Sequence, residues 1–277
     1  SYNDKRKTEI IEAEATSFEM EDIIEESNCI ITITHSGYIK RQLLQTYRQQ
    51  RRGGKGIIAT TTKEEDFVRD IFIASTHSYI LLFTNKGRVH WLKVYDIPEA
   101  SRQAKGKAIV NLLNLKSDEK VTAYVPVKNF DSNHFLIMAT KNGTIKKTNL
   151  AAYSNPRHGG IIAITLDTND SLINVKLTDG TKGIILATRN GIAVRFREIN
   201  VRATGRSAQG VRGIRLAEND YVVGMVVATD EKTLLTVTEN GYGKRTKISE
   251  YRLISRGGSG VRNIICSERN GKVVSIN

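Results

Sequence analysis

Five times along the chain, a run of apolar residues is followed by a threonine, a tight turn and a short basic stretch. These stretches read IITITHSGYIKR (30–41), ILLFTNKGRVHW (80–91), FLIMATKNGTIKK (135–147), IILATRNGIAVR (184–195) and LLTVTENGYGKR (234–245). Each apolar run is rich in Ile, Val, Leu and Thr, as buried strands are. The Ser-Gly, Lys-Gly or Asn-Gly pair that follows is typical of a hairpin turn in which glycine takes a positive φ. The pattern therefore predicts five β-hairpins.

The hairpins recur at nearly constant spacing, and a second glycine follows each of them. The hairpin glycines, separated by 50, 56, 48 and 50 residues, are Gly37, Gly87, Gly143, Gly191 and Gly241. The second glycine lies 19 residues later in four units and 17 later in the third, and these glycines are Gly56, Gly106, Gly160, Gly210 and Gly260. Features that recur in phase are the signature of a repeat protein.

Each unit contains further short strands and no long helical pattern. A strand is predicted after the second glycine, as in GVRGIRL (210–216), and another before the next hairpin, as in YVVGMVV (221–227). Four strands per unit in a circular array favour an all-β, propeller-like architecture. The predicted units span roughly 29–70, 71–120, 121–170, 171–220 and 221–265, and 266–277 is predicted to begin a sixth.

Charge is divided unevenly along the chain. Residues 1–34 hold nine carboxylates against three cations, a net charge of −6, and because the whole chain carries +13, residues 35–277 carry +19. A field of that sign favours a polyanionic partner, either nucleic acid or an anionic membrane. The apolar runs are far shorter than a membrane span and no basic amphipathic helix is seen, which favours nucleic acid. The acidic segment 1–28 is predicted either to form a strand and a short helical turn or to close the edge of the array.

Other chemistry-bearing residues form no pattern of a catalytic or metal site. Cys29 and Cys266 have no metal-ligand spacing and suit a reducing cytoplasm, and the N-terminal residues do not resemble a signal peptide. The stretch GGKG (53–56) is not a phosphate-binding P-loop, because Lys55 is followed by glycine instead of Ser or Thr. We therefore expect no catalytic residue, metal or cofactor in this chain.

Tyrosines that could stack on bases occupy a position that also accepts aliphatic residues. Tyr47, Tyr153 and Tyr251 each lie ten residues after a hairpin glycine, where the other units have Ile97 and Val201. A position that accepts Tyr, Ile or Val is typical of a core, so we interpret these tyrosines as core residues.

The stretch QQRRGGKG (49–56) is the densest of five basic loops that end at a second glycine. In four units an arginine stands four residues before that glycine, and in the third unit it stands three before; these are Arg52, Arg102, Arg157, Arg206 and Arg256. QRRGGKG (50–56) resembles the box that marks the C-terminal domain of the DNA gyrase A subunit. The repeated hairpins resemble the blades of that β-pinwheel family, and GYIKRQLLQTYRQQRRGGKG (37–56) and NGYGKRTKISEY (240–251) are similar to it almost throughout.

The resemblance implies a β-pinwheel whose four-stranded blades exchange strands, six blades being usual for the family against five full units here. It implies that a basic outer rim binds duplex DNA without reading sequence and wraps it with a positive hand, so that ATP-dependent strand passage by the holoenzyme introduces negative supercoils. The cleavage tyrosine, the ATP site and its Mg²⁺ are implied to lie elsewhere, in an A2B2 heterotetramer of the gyrase A and B subunits in the bacterial cytoplasm. The isolated domain is expected to be a monomer that binds no membrane.

Cations on turns and edge strands contact phosphates and not base edges. The residues that we predict to contact DNA are Lys40, Arg41, Arg48, Gln50, Arg51, Arg52, Gly53, Gly54, Lys55, Gly56, Arg88, Arg102, Lys105, Lys107, Lys146, Lys147, Arg157, Arg195, Arg206, Arg212, Lys244, Arg245, Arg256 and Arg262.

Two other functions fit parts of the pattern. The C-terminal domain of the topoisomerase IV A subunit is related, but its first-blade box is degenerate, whereas QRRGGKG is intact here. A propeller that binds protein partners would usually vary its rim loops from blade to blade, whereas the cation before the second glycine recurs in every unit here.

Overall fold

The computed structural model describes residues 20–44 and 66–277, and nearly all the regular structure in them is β-strand. One short helix, α1 (Met20–Ile23), precedes the strands. The strands are β1 (Asn28–Thr34), β2 (Tyr38–Leu43), β3 (Val68–Ser75), β4 (Tyr79–Thr84), β5 (Arg88–Lys93), β6 (Lys107–Ala108), β7 (Val121–Val127), β8 (Phe135–Thr140), β9 (Thr144–Asn149), β10 (Ile161–Ile162), β11 (Leu172–Thr178), β12 (Gly183–Thr188), β13 (Ile192–Arg197), β14 (Val211–Arg212), β15 (Val222–Ala228), β16 (Thr233–Thr238), β17 (Gly243–Lys247), β18 (Val261–Arg262) and β19 (Val273–Ile276). The all-β prediction is confirmed.

The described strands form five antiparallel sheets, here called blades 1 to 5. Their strand orders are β3-β1-β2-β6, β7-β4-β5-β10, β11-β8-β9-β14, β15-β12-β13-β18 and β19-β16-β17. Each blade is built on one predicted hairpin, and in blades 1 to 4 a two-residue outer strand comes from the following repeat. For example, β14 follows the hairpin of blade 4 in sequence but pairs with β9 of blade 3. Strand exchange between neighbouring blades is thus confirmed.

The prediction that 266–277 begins a sixth unit is wrong. Strand β19 pairs with β16 and is the inner strand of blade 5. The physical reason is the pairing rule of the fold: the strand before each hairpin pairs with the preceding hairpin, as β3 pairs with β1. Among the described residues, blade 5 therefore has three strands and no outer one.

The Thr-x-x-Gly pattern is explained by the hairpin turns. The five hairpin glycines all have positive φ, between 73° and 84°. In blades 1 to 4 the threonine hydroxyl caps the turn by accepting a hydrogen bond from the N–H four residues later, as from Tyr38 to Thr34 at 3.2 Å and from Thr144 to Thr140 at 3.1 Å. In blade 5 the Thr238 hydroxyl instead donates to the Tyr242 carbonyl at 3.2 Å. A polar side chain at the end of each apolar run thus satisfies a main-chain group of the turn.

The hydrophobic core lies between successive blades. Along β4, Ile80 and Leu82 pack against blade 1, while Leu81 and Phe83 pack against blade 3. Both faces of a hairpin strand are therefore buried, which is why these runs are wholly apolar instead of alternating.

The position ten residues after the hairpin glycine lies in this core. Tyr153, Tyr251, Ile97 and Val201 are all buried, so the core interpretation is confirmed for them. Tyr47 lies outside the described residues.

The last residues of the acidic segment are bound to blades 1 and 2. Glu21 pairs with Lys93 and Glu26 pairs with Lys128 at 2.7 Å, both in blade 2, and Glu26 accepts a hydrogen bond from Ser75 of blade 1 at 2.8 Å. A short helical turn, part of one of the two alternatives for this segment, is present as α1, whereas residues 1–19 lie outside the described residues.

Candidate nucleic-acid interface

Four loops, here called the rim loops, each lie against the second hairpin strand of the blade whose hairpin belongs to the repeat before the loop. They are residues 98–106, 154–160, 202–210 and 252–260, on blades 1, 2, 3 and 4 respectively. Main-chain hydrogen bonds hold the loops of blades 1, 3 and 4 there, and the Arg88 side chain holds the loop of blade 2. On blade 1, Arg41 N–H donates to the Pro98 carbonyl and Ala100 N–H donates to the Arg41 carbonyl, both at 3.1 Å.

The glycine that ends each rim loop is required by this close contact. Gly106 has φ 86°, and a Cβ there would lie 2.4 Å from the carbonyl oxygen of Ile39. Gly210 has φ 101°, and a Cβ would lie 2.6 Å from the carbonyl oxygen of Ile145. Only glycine allows both this backbone conformation and this approach, so the second glycine of the repeat fixes the loop against the strand.

The rim loops are strongly positive. They contain seven Lys or Arg residues and one carboxylate, Glu99, which pairs with Arg41. The outer strands that follow add Lys107, Arg212 and Arg262, all exposed. These ten outer cations, here called the rim cations, are Arg102, Lys105, Lys107, Arg157, Arg202, Arg206, Arg212, Arg252, Arg256 and Arg262. Within the described ranges none of them forms an ion pair with a carboxylate.

Most predicted contact residues on the rim loops and outer strands lie at the surface. Lys105, Lys107, Arg157, Arg212 and Arg262 are exposed. The arginines that precede the second glycine in repeats 2, 4 and 5 are half-buried, and they are Arg102, Arg206 and Arg256. Eight predicted residues, Arg48 and the box Gln50, Arg51, Arg52, Gly53, Gly54, Lys55 and Gly56, lie outside the described residues.

The prediction that Lys40, Lys146 and Lys147 lie at the surface to contact DNA is wrong. They are 2%, 1% and 7% exposed. The Nζ of Lys40 donates to the carbonyl oxygens of Ser101, Arg102 and Ala104 at 3.2, 2.8 and 2.9 Å. These ammonium groups are buried because the next repeat covers them with main-chain carbonyls.

Lys146 and Lys147 have the same kind of surroundings on blade 3. The Nζ of Lys146 donates to the carbonyls of Ala163, at 2.6 Å, and Arg206. The Nζ of Lys147 donates to the carbonyl of Glu198 at 3.2 Å. Each ammonium is therefore held by protein carbonyls in place of water.

Three predicted arginines hold neighbouring repeats together while remaining half-buried. Arg41 Nε donates to the Ile97 carbonyl at 2.7 Å, and Arg195 Nη1 donates to the Ile248 carbonyl at 3.0 Å. Arg88 Nη2 donates to the Gly159 carbonyl at 2.7 Å. In blade 5, Lys244 and Arg245 lie three and four residues after the hairpin glycine, as Lys146 and Lys147 do in blade 3, and both are exposed.

Burial lowers the pKa of two covered lysines and of one histidine. It lowers the pKa of Lys40, and it lowers the pKa of Lys146 to about 7, with the nearby charge of Arg206 acting in the same direction. In blade 2 the same place is held by His90, whose pKa is also lowered by burial although Glu119 lies 3.6 Å away.

Sequence reasoning missed two exposed arginines at the start of rim loops. Arg202 and Arg252 each lie eleven residues after a hairpin glycine. Their shared phase in repeats 4 and 5 is the signal that would have found them.

The described residues show no metal or membrane-spanning feature. Within 20–44 and 66–277, no group of three His, Cys, Asp or Glu side chains is arranged to hold a metal ion. No helix in the same ranges is both long and apolar enough to cross a membrane.

Comparison with known families bears directly on this repeated geometry. The family described as DNA gyrase C-terminal domain, beta-propeller, matches 30–75, 78–128, 134–179, 184–229 and 232–277, one segment for each blade hairpin and the inner strand that follows it. The chain belongs to this gyrase C-terminal domain family.

Relatives of this gyrase domain are full gyrase A subunits. The chain is 53% identical to the DNA gyrase A subunit of Clostridium acetobutylicum over 212 residues, which are 76% of this chain and 25% of that protein. It is 48% identical to the DNA gyrase A subunit of Salmonella typhimurium over 76% of this chain and 24% of that protein. The chain thus spans about a quarter of the length of the curated relatives that it matches.

Solved structures share the fold of the gyrase family. The C-terminal domain of DNA topoisomerase IV has a TM-score of 0.77 at 28% identity, covering 92% of this chain and 78% of that chain. A DNA gyrase A C-terminal domain has a TM-score of 0.71 at 26% identity, covering 91% of this chain and 82% of that chain.

Proposed function

We propose that the basic rim binds duplex DNA through its phosphates, without reading sequence, and wraps it with a positive hand. The observation that carries this proposal is the repetition of uncompensated charge: seven cations against one carboxylate on the rim loops, at the same outer edge of four successive blades. Phosphate contacts of this kind give affinity and orientation but no sequence information.

The proposed role of the wrap is to allow the gyrase holoenzyme to introduce negative supercoils at the expense of ATP. The chain would then be a non-catalytic domain of an A2B2 enzyme in the bacterial cytoplasm. DNA cleavage would be performed by the rest of the gyrase A subunit, whereas ATP hydrolysis would be performed by its gyrase B partner. Family membership supports the assignment to gyrase. The family match and the identities of 53% and 48% to two gyrase A subunits favour gyrase over topoisomerase IV.

The first test is binding of the chain to random-sequence duplex at two salt concentrations. Each neutralised phosphate adds about −0.9 to the slope of log K against log salt, so about ten rim cations give a slope near −9 and a loss of about five orders of magnitude between 50 and 200 mM. A shallow slope, or a strong sequence preference, would contradict the proposal. Ligation of nicked circles with the chain bound then reports the sign of the wrap, and unchanged linking number would rule out chiral wrapping.

A matched pair of variants separates the rim from general charge. Arg212→Gln removes an exposed cation of the rim, whereas Lys176→Gln removes an exposed cation of the inner strand β11. The first change should reduce the slope by about 0.9 and the second should leave it unchanged.

The box of the first repeat has its own expected effect. Alanine at Arg51, Arg52 and Lys55 should reduce the slope by about 2.7 and weaken binding without abolishing it. In the holoenzyme the same change should abolish negative supercoiling and spare DNA cleavage and ATP-dependent relaxation, because a bent duplex must be held at its end. Alanine at Arg206 and Arg212 is the control, and equal losses from both sets would deny the box a special role.

A further inference from the structure

Lys40 and Lys146 occupy the same place in blades 1 and 3, three residues after the hairpin glycine. Each lies beneath the rim loop that the next repeat supplies, and each is almost completely buried. Buried ammonium groups are costly unless hydrogen bonds replace the lost water, and here main-chain carbonyls replace it. Among the described residues, no carboxylate forms a hydrogen bond or an ion pair with either ammonium.

Among the carbonyls that each lysine binds, one belongs to an arginine of the rim loop. Lys40 binds the carbonyl of Arg102 at 2.8 Å, and Lys146 binds the carbonyl of Arg206. Arg102 and Arg206 are the arginines that stand four residues before the second glycine, and both are rim cations. Holding a residue's carbonyl restricts the backbone torsions at that residue, so each buried lysine restricts the directions open to one outer arginine.

We infer that Lys40 and Lys146 are positioning residues for phosphate binding: without touching DNA, they hold the main chain of Arg102 and Arg206 so that both guanidinium groups stay on the outer face. This inference rests on the proposed DNA-binding function of the rim. The lysine three residues after the hairpin glycine anchors the rim loop above it. The arginine of that loop, which the next repeat supplies, contacts the phosphate.

The other two covered blades use different anchors. In blade 2, Arg88 donates to the carbonyls of Gly159 and Gly160 at 2.7 and 3.0 Å. In blade 4, Val194 stands in place of the lysine, and the loop's own Arg256 donates to the Asn200 carbonyl at 2.9 Å. An ammonium beneath the loop is therefore a feature of blades 1 and 3, and blade 4 offers a natural control.

The test is a double-mutant cycle on blade 3 of the full 277-residue chain. Lys146→Met keeps a long unbranched side chain but removes the donors, and Arg206→Ala removes the contact. Each single change should reduce the salt slope for random-sequence duplex by about 0.9 and lower affinity about five- to tenfold. If Lys146 acts through Arg206, the double variant should lose no more than Arg206→Ala alone. Additive losses would overturn the inference.

Hydrogen exchange separates positioning from general destabilisation. In Lys146→Met, amides of the rim loop 202–210 should exchange faster, while those of β12 and of the rim loop 252–260 over Val194 stay protected. Lys146→Arg, which keeps donors and charge, should restore a large part of the slope. Faster exchange throughout blade 3 with no selective effect on 202–210 would contradict the assignment.

Lys40→Met and Arg102→Ala repeat the cycle on blade 1 and carry the test if Lys146→Met does not fold. Failure of both methionine variants to fold would also overturn the inference, because the lysines would then hold the blades and not the loops. A wild-type chain that shows no salt-dependent DNA binding would instead refute the proposed function. Wild-type binding with additive losses refutes the positioning role alone.

Discussion

Blades 3 and 5 each carry a pair of basic residues at the same place, three and four residues after the hairpin glycine. In blade 3 the pair is Lys146 and Lys147, and both are buried. In blade 5 the pair is Lys244 and Arg245, and both are exposed. The difference arises outside the hairpin: β14 and the rim loop 202–210 cover β9, whereas no described strand pairs with the outer side of β17.

The comparison shows that a repeated motif does not have one environment. The residue types and their spacing set where the pair lies on the hairpin, but the neighbouring repeat decides how far the pair is covered: Lys146 and Lys147 are buried, whereas Lys244 stays exposed although its Nζ donates to the Asn263 carbonyl at 3.2 Å. A cation in this motif is part of the protein framework where it is covered, and it can reach a phosphate only where it is open. The following predictions test this difference between covered and open edges, from the largest expected effect to the smallest.

The largest difference is expected at the hairpin glycines. Gly191 of blade 4 is covered, and a Cβ there would lie 2.2 Å from the Ile264 carbonyl oxygen, whereas Gly241 of blade 5 has no atom within 4 Å of that position. Both have positive φ, so alanine costs about 1–2 kcal/mol at either site through backbone strain alone. Gly191→Ala should exceed Gly241→Ala by at least about 2 kcal/mol in urea unfolding, because the covering chain must move. Equal losses would show that the cover does not press on the turn.

A smaller difference is expected at the lysine itself. Lys146→Ala leaves a cavity and at least two carbonyls without their donor and should lower the free energy of unfolding by about 2 kcal/mol. Lys244→Ala, an exposed change, should stay within about 0.5 kcal/mol of the parent chain. Chemical denaturation of the two variants measures both, and a large effect at Lys244 would mean that the open edge is covered in solution.

The DNA contact should follow exposure. Arg245 and Lys147 hold the same place in blades 5 and 3. Arg245→Gln should reduce the salt slope by about 0.9, whereas Lys147→Gln should leave it unchanged, because its ammonium is bound to the Glu198 carbonyl. The same titration on random-sequence duplex compares them, and the reverse order of effects would refute the link between exposure and binding.

The smallest effect is a pH response of the rim loop on blade 3. Burial lowers the pKa of Lys146 to about 7, and the charge of Arg206 acts in the same direction. The Tyr153 hydroxyl donates to the same Ala163 carbonyl as Lys146, at 3.4 Å. Burial raises the pKa of Tyr153, so Tyr153 stays neutral. Between about pH 6 and 8 the folded chain therefore loses the Lys146 proton, and amides of 202–210 should lose protection by a few-fold after correction for intrinsic exchange.

The free energy of unfolding of the whole chain should instead increase with pH, between about pH 7 and 10.5. The unfolded lysine keeps its proton up to its ordinary pKa near 10.5, so the unfolded state binds more protons between about pH 7 and 10.5, and the free energy of unfolding rises with pH there. Lys146→Met should remove both responses. A rim loop over Val194 that shows the same pH response would assign the effect to some other group.

Much of the fold could be predicted from sequence because the hairpins are local. The spacing of the threonine and the glycine specifies the turns, and the exchange of Tyr, Ile and Val at one position identifies core residues such as Tyr153 and Val201. The partner of a two-residue strand such as β14 cannot be predicted from the local sequence, because its pairing depends on the neighbouring blade. For the same reason, local patterns place the tail strand β19 in a sixth unit, although it completes the fifth.

The exposure of the predicted cations followed from sequence on the rim loops and outer strands, and the prediction failed on the second hairpin strands that the next repeat covers. Arg157 directly follows a proline, and Arg212 lies two residues after the glycine that ends a rim loop. Both are exposed as expected. Lys40 lies in a strand between Ile39 and Arg41, a pattern that suits an edge strand facing water. Its burial follows from carbonyls of residues about sixty positions later, which no local pattern reports.

Strand exchange gives the array a polarity. Each rim loop covers the blade before it and never the blade after it. A repeat that unravels therefore strips the outer edge from its N-terminal neighbour, exposing a row of unpaired main-chain groups and uncovering buried lysines, while the outer edge of its C-terminal neighbour stays covered. Local unfolding that starts in a late repeat can thus spread toward the beginning of the chain, whereas unfolding that starts in the first repeat removes no outer strand from any later described blade.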